Sequence, residues 1–143
     1  YYKSGKMEWL LFSAQSMDTI RFNGSYTLTN RLSYICDDSN AVQRSIDIET
    51  AKQVYTRLKP YLKENHREIY SNLNEYLFQF VGYKDSAHTD IVYVNAFIGN
   101  EARYKKNPEY WKSNLYKSFD AGERHFSVKH SIQSDQFFEF KTH

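Results

Sequence analysis

Histidines are the residues of this chain whose spacing could most directly indicate acid–base or metal chemistry. The five are spread along the sequence: His66, His88, His125, His130 and His143. No two have the i, i+2 spacing of a strand or the i, i+4 spacing of a helix that would direct both rings to one ion. We therefore expect no histidine-based metal site. We also expect no bound cofactor, because the sequence contains no glycine-rich phosphate loop, no nucleophile-elbow serine and no His-Glu zinc helix.

The segment before residue 125 could place carboxylates beside a histidine. Asp120 and Glu123 both precede His125 closely. If His125 and one of these two carboxylates converge in a concave apolar pocket, the pair predicts a small hydrolase or isomerase that works by general acid–base catalysis. The alternative, which we favour, is a turn before a strand, with Gly122 supplying a positive φ.

The other potentially reactive residues have structural explanations. On a strand, His130 shares a face with Phe126 and Val128, so we expect it to be a half-buried structural residue and His125 to face the opposite side. Cys36 is the only cysteine, which excludes an intrachain disulfide, and no histidine adjoins it in the sequence. The run Gln79–Gly82 is similar to the Gln-x-Val-x-Gly loop of cystatin inhibitors, but it is one residue too short.

Residues 103–117, called here the basic–aromatic segment, are the most specific surface feature. Five cations and one carboxylate give the segment a charge of +4, with aromatic rings interleaved. Rings beside cations bind glycans, single-stranded nucleic acid or anionic partners. The candidate ligand-binding residues are Arg103, Tyr104, Lys105, Tyr110, Trp111 and Lys112. The alternative is a solvated connection whose Tyr110 and Trp111 pack into the core.

Composition limits the possible functions. The chain has 143 residues and a net charge of +2, and its 19 basic and 17 acidic residues are evenly distributed. We therefore expect one domain over residues 1–143 and no bulk attraction to nucleic acid or an anionic membrane. No apolar run reaches the roughly 18 residues of a transmembrane helix. Because the chain begins with Tyr1, we expect that a leader was removed or that the sequence is truncated.

Alternating apolar residues predict strands in the N-terminal part. Met7–Phe12 is one predicted strand, and Arg31–Cys36 is another. Residues 20–28 predict a hairpin with a three-residue loop, Asn23–Ser25, since that register keeps the apolar residues on one face. A single bent strand with a bulge at Gly24 is the alternative. Asp37–Asn40 predicts a turn.

The apolar period changes to threes and fours after Asp47, which is a plausible N-cap. We expect helices over 48–58 and 66–80, separated near Pro60 because proline removes a backbone donor. Gly82 is the expected terminator of the second helix.

The remaining elements are strands. Residues 90–98 predict a central strand, since both faces are apolar. Residues 124–132 and 136–141 predict a hairpin, and a short helix is expected from Pro108 to Trp111. Strands, then helices, then strands indicate an α+β domain in which an antiparallel sheet packs on a broken helical segment.

The C-terminal half also carries a resemblance. An apolar strand ends in Val94–Phe97, a loop contains Trp111, Asp120–Gly122 follow, and Phe137–Phe140 close the chain. This part resembles small uncharacterised envelope or secreted proteins of Bacteroides-like bacteria. The resemblance implies a cystatin-like roll, a secreted or envelope location and no catalysis.

These observations favour a non-catalytic binding or accessory domain of the bacterial cell envelope. Its partner would be a protein, a glycan or a small ligand. The alternatives are the hydrolase or isomerase built on His125 and nucleic-acid binding through residues 103–117.

Overall fold

The computed structural model describes residues 1–4, 7–11, 19–22, 25–28, 32–98, 111, 115–118 and 120–143. Its strands are β1 (Tyr2–Ser4), β2 (Met7–Leu11), β3 (Thr19–Phe22), β4 (Ser25–Leu28), β5 (Val42–Arg44), β6 (Tyr76–Lys84), β7 (Asp90–Ile98), β8 (His125–Ser131) and β9 (Gln136–Thr142). Its helices are α1 (Leu32–Ile35), α2 (Ile48–Asn65) and α3 (Arg67–Ser71), with 3₁₀ turns at Leu73–Glu75 and Gly122–Arg124.

The main sheet has seven strands. Six follow the order β1-β2-β6-β7-β8-β9, and the seventh, β5, pairs with the C-terminal end of β6. The α+β class is therefore confirmed. The sheet is mixed rather than antiparallel, because β2 and β6 run parallel, with Trp9 opposite Phe78. A parallel pair needs a long crossover connection, and the chain between β2 and β6, which includes α2, supplies it.

Helix α2 begins as predicted and ends later than predicted. The Asp47 carboxylate accepts a hydrogen bond of 2.8 Å from the backbone N–H of Thr50, which confirms the N-cap. The helix continues through Pro60 to Asn65. Leu58 and Leu62 on either side of the proline are fully buried against the sheet, and this burial offsets the cost of the missing hydrogen bond, about 3 kcal/mol.

The helix predicted over 66–80 is wrong beyond Ser71, since β6 begins at Tyr76. Apolar residues cover both faces of β6, so their spacing also fits a helix. Gly82 lies within β6 rather than ending a helix. A Cβ there would stand 2.5 Å from Ile46 Cγ2 and 2.6 Å from the Arg44 carbonyl oxygen, so the glycine lets β5 approach β6 closely.

Two N-terminal predictions are also wrong. The strand expected over 31–36 contains the helical turn α1, because Leu32 and Ile35, three residues apart, are both buried on one side. In the hairpin, Phe22 pairs with Ser25, which leaves two intervening residues rather than three. Asn-Gly dipeptides favour two-residue connections, and this turn preference outweighs the apolar pattern.

The predictions for the later strands are confirmed. β7 lies between β6 and β8, and β8 and β9 form the C-terminal hairpin. The strand expected at residue 7 is β2, and Asp38 accepts from the N–H of Asn40 in the predicted turn. The helix expected from Pro108 lies outside the described residues, except for Trp111. In the described part of the chain, no helix is long and apolar enough to cross a membrane.

The two faces of the main sheet are covered differently. The face under α2, called here the helix face, has an apolar core. The opposite face, called here the cavity face, is covered by α1, Trp111 and Tyr116. Side chains alternate along a strand, so β8 contributes Phe126 and Val128 to the helix face and His125 and Ser127 to the cavity face.

Candidate functional site

A cavity of about 330 Å³ lies on the cavity face. Its described lining residues are Tyr34, Tyr93, Asn95, Leu115, Tyr116, Lys117, Ser118, His125 and His143. Asn95 and His125 project from β7 and β8 and are almost fully buried, so they form its floor. Tyr34 from α1 is 47% exposed and marks the mouth, with the Lys117 ammonium 3.2 Å from the centre of its ring.

Backbone groups determine how the amide of Gln79 is oriented beneath this cavity. Gln79 Oε1 accepts from the backbone N–H of Tyr116 at 2.9 Å. Gln79 Nε2 donates to the carbonyl oxygen of Trp111 at 2.7 Å. Since a backbone N–H only donates and a carbonyl only accepts, the amide has one possible orientation.

The orientation of Gln79 determines that of Asn95. Asn95 Nδ2 donates to Gln79 Oε1 at 2.9 Å and to the carbonyl oxygen of Tyr116 at 3.0 Å. Both of its amide protons therefore have acceptors, and Asn95 Oδ1 is left facing His125.

The orientation of Asn95 in turn determines the tautomer of His125. His125 Nε2 lies 2.7 Å from Asn95 Oδ1, which accepts only, so Nε2 carries the proton. In the neutral ring, Nδ1 is then an acceptor, and the Ser118 hydroxyl donates to it at 2.6 Å. The hydrogen bonds thus run in one direction: Ser118 donates to His125, His125 to Asn95, Asn95 to Gln79, and Gln79 to the carbonyl oxygen of Trp111. We call this series, Ser118–His125–Asn95–Gln79–Trp111, the relay.

Burial keeps His125 neutral. The pKa of His125 is lowered from 6.5 to about 3, mainly by burial and to a smaller extent by the neighbouring charge of His143. The ring of His143 stacks on that of His125 with the centroids 4.4 Å apart, and His143 Nε2 lies 2.9 Å from Ser127 Oγ. Burial also lowers the pKa of His143, with further lowering by Lys141 and Lys117.

The carboxylates proposed as partners of His125 do not meet its ring. Asp120 and Glu123 are exposed, and both ring nitrogens of His125 are bonded to other groups. The segment forms the turn favoured above, with Gly122 at φ 60°. The carbonyl oxygen of Glu123 accepts from the hydroxyl of Tyr76 at 2.6 Å. A catalytic pair of His125 with Asp120 or Glu123 is therefore not formed. The turn places both carboxylates in solvent, whereas the strand directs His125 inward.

The basic–aromatic segment contributes to the core where the structure describes it. Trp111 is 1% exposed, and the Tyr116 ring stacks on Phe97 with the centroids 3.9 Å apart. Trp111 therefore cannot present its ring to a ligand on the surface. The other candidates lie outside the described residues: Arg103, Tyr104, Lys105, Tyr110 and Lys112.

Sequence reasoning missed three members of the relay, Gln79, Asn95 and Ser118, and other lining residues such as Tyr34, Tyr93 and His143. The sequence did contain a signal for Gln79 and Asn95. Gln79 and Asn95 are polar residues within otherwise apolar central strands, and buried polar groups need partners. The strand register places the two opposite each other.

The remaining reactive residues are structural. His130 Nε2 lies 2.9 Å from Asp135 Oδ1, and His130 is fully buried rather than half-buried as expected. The His130 hydrogen bond is the main cause that lowers the pKa of Asp135. Burial raises the pKa of the Cys36 thiol, which opposes nucleophilic chemistry. Among the described residues, no three metal-binding side chains are grouped to hold an ion.

A second cavity of about 380 Å³ lies on the same face near Cys36. The Lys129 ammonium in it is paired with Glu139 at 2.5 Å. The carboxylates of Asp38 and Asp85 accept backbone N–H groups at its edge. These three charged groups therefore have partners within the protein. The described lining of the first cavity is more aromatic and apolar, which makes it the stronger candidate site.

Comparison of the chain with protein-family models, with curated proteins and with solved structures finds no match.

Proposed function

We propose that this domain binds a small ligand, without catalysis, in the cavity above Asn95 and His125. The observation that carries the proposal is the composition of this cavity. Its described walls are largely aromatic and apolar, and a few polar groups converge at one end. Ligand sites typically combine an apolar lining with a few placed polar groups that orient the ligand.

The charges of the cavity favour an anionic ligand. Its described lining includes a lysine and two histidines but no Asp or Glu side chain. Burial lowers the pKa of Lys117, so an anion beside the ammonium would offset the loss of hydration. A small, mostly apolar molecule with one anionic group fits this lining.

The chemistry of the relay argues against catalysis. A general base works best when its pKa lies near the working pH, and burial lowers that of His125 to about 3. Asn95, a neutral amide, supplies no charge to stabilise an imidazolium. The polar groups of the relay bond to one another, as in a network that stabilises the fold.

The first experiment uses 1-anilinonaphthalene-8-sulfonate, an aromatic sulfonate whose fluorescence rises in apolar sites. We expect saturable binding that Leu115→Ala weakens by about 5-fold or more, because Leu115 lines this cavity and not the second one. Phe138→Ala is the control, since Phe138 lines the second cavity and not this one. Absence of saturable binding, or equal effects of the two substitutions, would contradict the proposal.

A second candidate function is supported by one distance. Ser118 Oγ lies 2.6 Å from His125 Nδ1, and Asn95 orients the ring, which is the nucleophile–base–orienter pattern of serine hydrolases. The test is a fluorophosphonate probe followed by mass spectrometry of the intact protein. A stable adduct at Ser118, absent from Ser118→Ala, would replace the binding proposal with hydrolysis. We expect no adduct, because His125 is a weak base.

The fold and the location expected from the resemblance belong to the same proposal. Helix α2 lies on one face of the consecutive antiparallel strands β6–β9, which supports a cystatin-like roll. A secreted or envelope location remains a prediction.

Nucleic-acid binding through residues 103–117 also remains a prediction. The burial of Trp111 and Tyr116 removes two rings from any stacking surface. Binding of a single-stranded oligonucleotide that weakens steeply as salt increases would support it.

A further inference from the structure

The direction of the hydrogen bonds in the relay determines whether Ser118 can donate to a ligand or accept from it. The Ser118 hydroxyl proton is committed to His125 Nδ1, since the amides of Gln79 and Asn95 leave that nitrogen as an acceptor. The lone pairs of Ser118 Oγ remain, and Ser118 lines the cavity. Ser118 therefore presents an acceptor to the cavity, although a serine hydroxyl can in general also donate.

A ligand acceptor at the same position would be disfavoured. It would take the Ser118 proton away from His125 and leave Nδ1 of a 2% exposed residue without a partner. Leaving a buried acceptor unpaired costs more than one ordinary hydrogen bond contributes. Sites of this kind reject analogues that lack the matching donor.

The mouth of the cavity has the opposite character. The Lys117 ammonium lies over the ring of Tyr34, and this ring is half exposed. Tyr93, Leu115 and Tyr116 supply the rest of the described apolar lining. The cavity thus combines an apolar lining with a cation at its opening and an acceptor at Ser118 Oγ.

We infer that the ligand is a hydroxylated aromatic carboxylate, whose hydroxyl donates to Ser118 Oγ beside His125 and whose carboxylate lies near Lys117 at the mouth. This inference rests on the proposed binding function and adds the chemical class and the orientation of the ligand.

The test measures affinities for matched pairs of acids by titration calorimetry. The hydroxyl compounds are 4-hydroxybenzoate, 4-hydroxyphenylacetate and 3-(4-hydroxyphenyl)propionate, which differ in length, and each is paired with its methyl ether. For the best-fitting length, we expect the hydroxyl compound to bind about 5- to 10-fold more tightly, the factor that one hydrogen bond typically contributes. The ether keeps the ring and the charge but cannot donate.

Two variants assign this preference to the relay. Ser118→Ala should bring the ratio to about 1 and leave the affinity for the methyl ether within about 2-fold. Ser118→Thr keeps the hydroxyl and should keep the preference. A ratio of 1 or less in the unmodified protein, or a preference that persists in Ser118→Ala, would overturn the inference.

The probe of the previous section separates the two proposals. If the protein binds 1-anilinonaphthalene-8-sulfonate but none of the six acids, the ligand class is wrong and the binding function stands. If it binds neither the probe nor the acids while folded, both proposals fail.

Discussion

The two faces of the main sheet bury their residues in different ways. On the helix face, β8 places Phe126 and Val128 in a core of apolar side chains. On the cavity face, the same strand places His125, Ser127 and Lys129, all of them buried. Six of the seven buried polar residues that the structure describes lie on the cavity face: Gln79, Asn95, His125, Ser127, Lys129 and Ser131.

This difference separates stability from recognition. Apolar burial contributes roughly 25 cal/mol per Å² without requiring a direction. Buried polar groups contribute little net stability but need specific partners, and they hold side chains in unique orientations. We therefore expect substitutions on the helix face to unfold the domain, and those on the cavity face to alter the site at a smaller cost.

The largest effect is expected for Phe126→Ala on the helix face. Phe126 is fully buried and stacks on Phe140 with the centroids 5.5 Å apart. Its removal leaves a cavity in the core, so the free energy of unfolding should fall by about 3–5 kcal/mol, measured by urea denaturation. The exposed Phe138 in β9 is the control, and Phe138→Ala should cost less than about 1 kcal/mol. Equal losses would remove the distinction between core and surface.

A smaller loss is expected for Asn95→Leu on the cavity face. The substitution keeps the volume roughly constant but removes the acceptor of His125 Nε2–H and one of the donors to Gln79 Oε1. Unpaired buried groups should lower the free energy of unfolding by about 2–3 kcal/mol. Ser118→Ala removes the donor to His125 Nδ1 at the half-buried end of the relay and should cost about 1–2 kcal/mol. If Asn95→Leu were stabilising, the relay would not be needed to hold the fold.

The pH dependence of stability should reveal the neutral His125. Its pKa is about 3 in the folded chain and 6.5 in the reference state, so below pH 6.5 the unfolded chain binds a proton that the folded chain does not. The contribution of His125 to the free energy of unfolding is therefore fully present above pH 6.5. It is lost from there towards pH 3, by at most about 1.4 kcal/mol per pH unit.

Comparison with His125→Gln isolates this contribution. Between pH 6.5 and pH 4.5, denaturation curves of the unmodified protein should show a loss about 2 kcal/mol larger than those of the variant. His66 and His143 act in the same direction, but both proteins retain them. Parallel pH profiles would show that His125 titrates normally in the fold.

The smallest effect is expected at the start of α2. Asp47→Ala removes the hydrogen bond to the Thr50 N–H and should lower the free energy of unfolding by about 1 kcal/mol. Asp37→Ala is the control, since Asp37 is also an exposed aspartate and does not cap a helix; a change within about 0.5 kcal/mol is expected. Neither substitution should affect binding in the cavity.

Local patterns were sufficient for some elements. The N-cap at Asp47 and the strands around Asn95 and Phe126 were predicted correctly, because caps and apolar alternation depend on near neighbours. The end of α2 was predicted wrongly. The cost of Pro60 can be read from the local sequence, whereas the burial of Leu58 and Leu62 depends on contacts with the distant sheet. A short apolar run such as Tyr76–Lys84 fits a helix or a central strand equally well, and only its neighbours decide between them.

The candidate site was less predictable than the fold. His125 was recognised, but the carboxylates considered as its partners, against the favoured turn, were chosen by nearness in the sequence. Its real partners, Asn95 and Ser118, come from another strand and from a loop. Trp111 was a candidate both for a binding surface and for the core, because a ring beside cations has the same sequence pattern whether it faces solvent or the core.

The sequence by itself determined the α+β class, the C-terminal hairpin and the opposite orientations of His125 and His130, because each follows from chain-local periodicity. The tertiary structure decided that β6 is a central strand, that Gly82 is needed beneath β5, and that Ser118, His125, Asn95 and Gln79 form one relay. Those outcomes depend on which distant segments share a buried face. Every buried polar group must find a partner there, and the chain can meet that requirement only once it has folded.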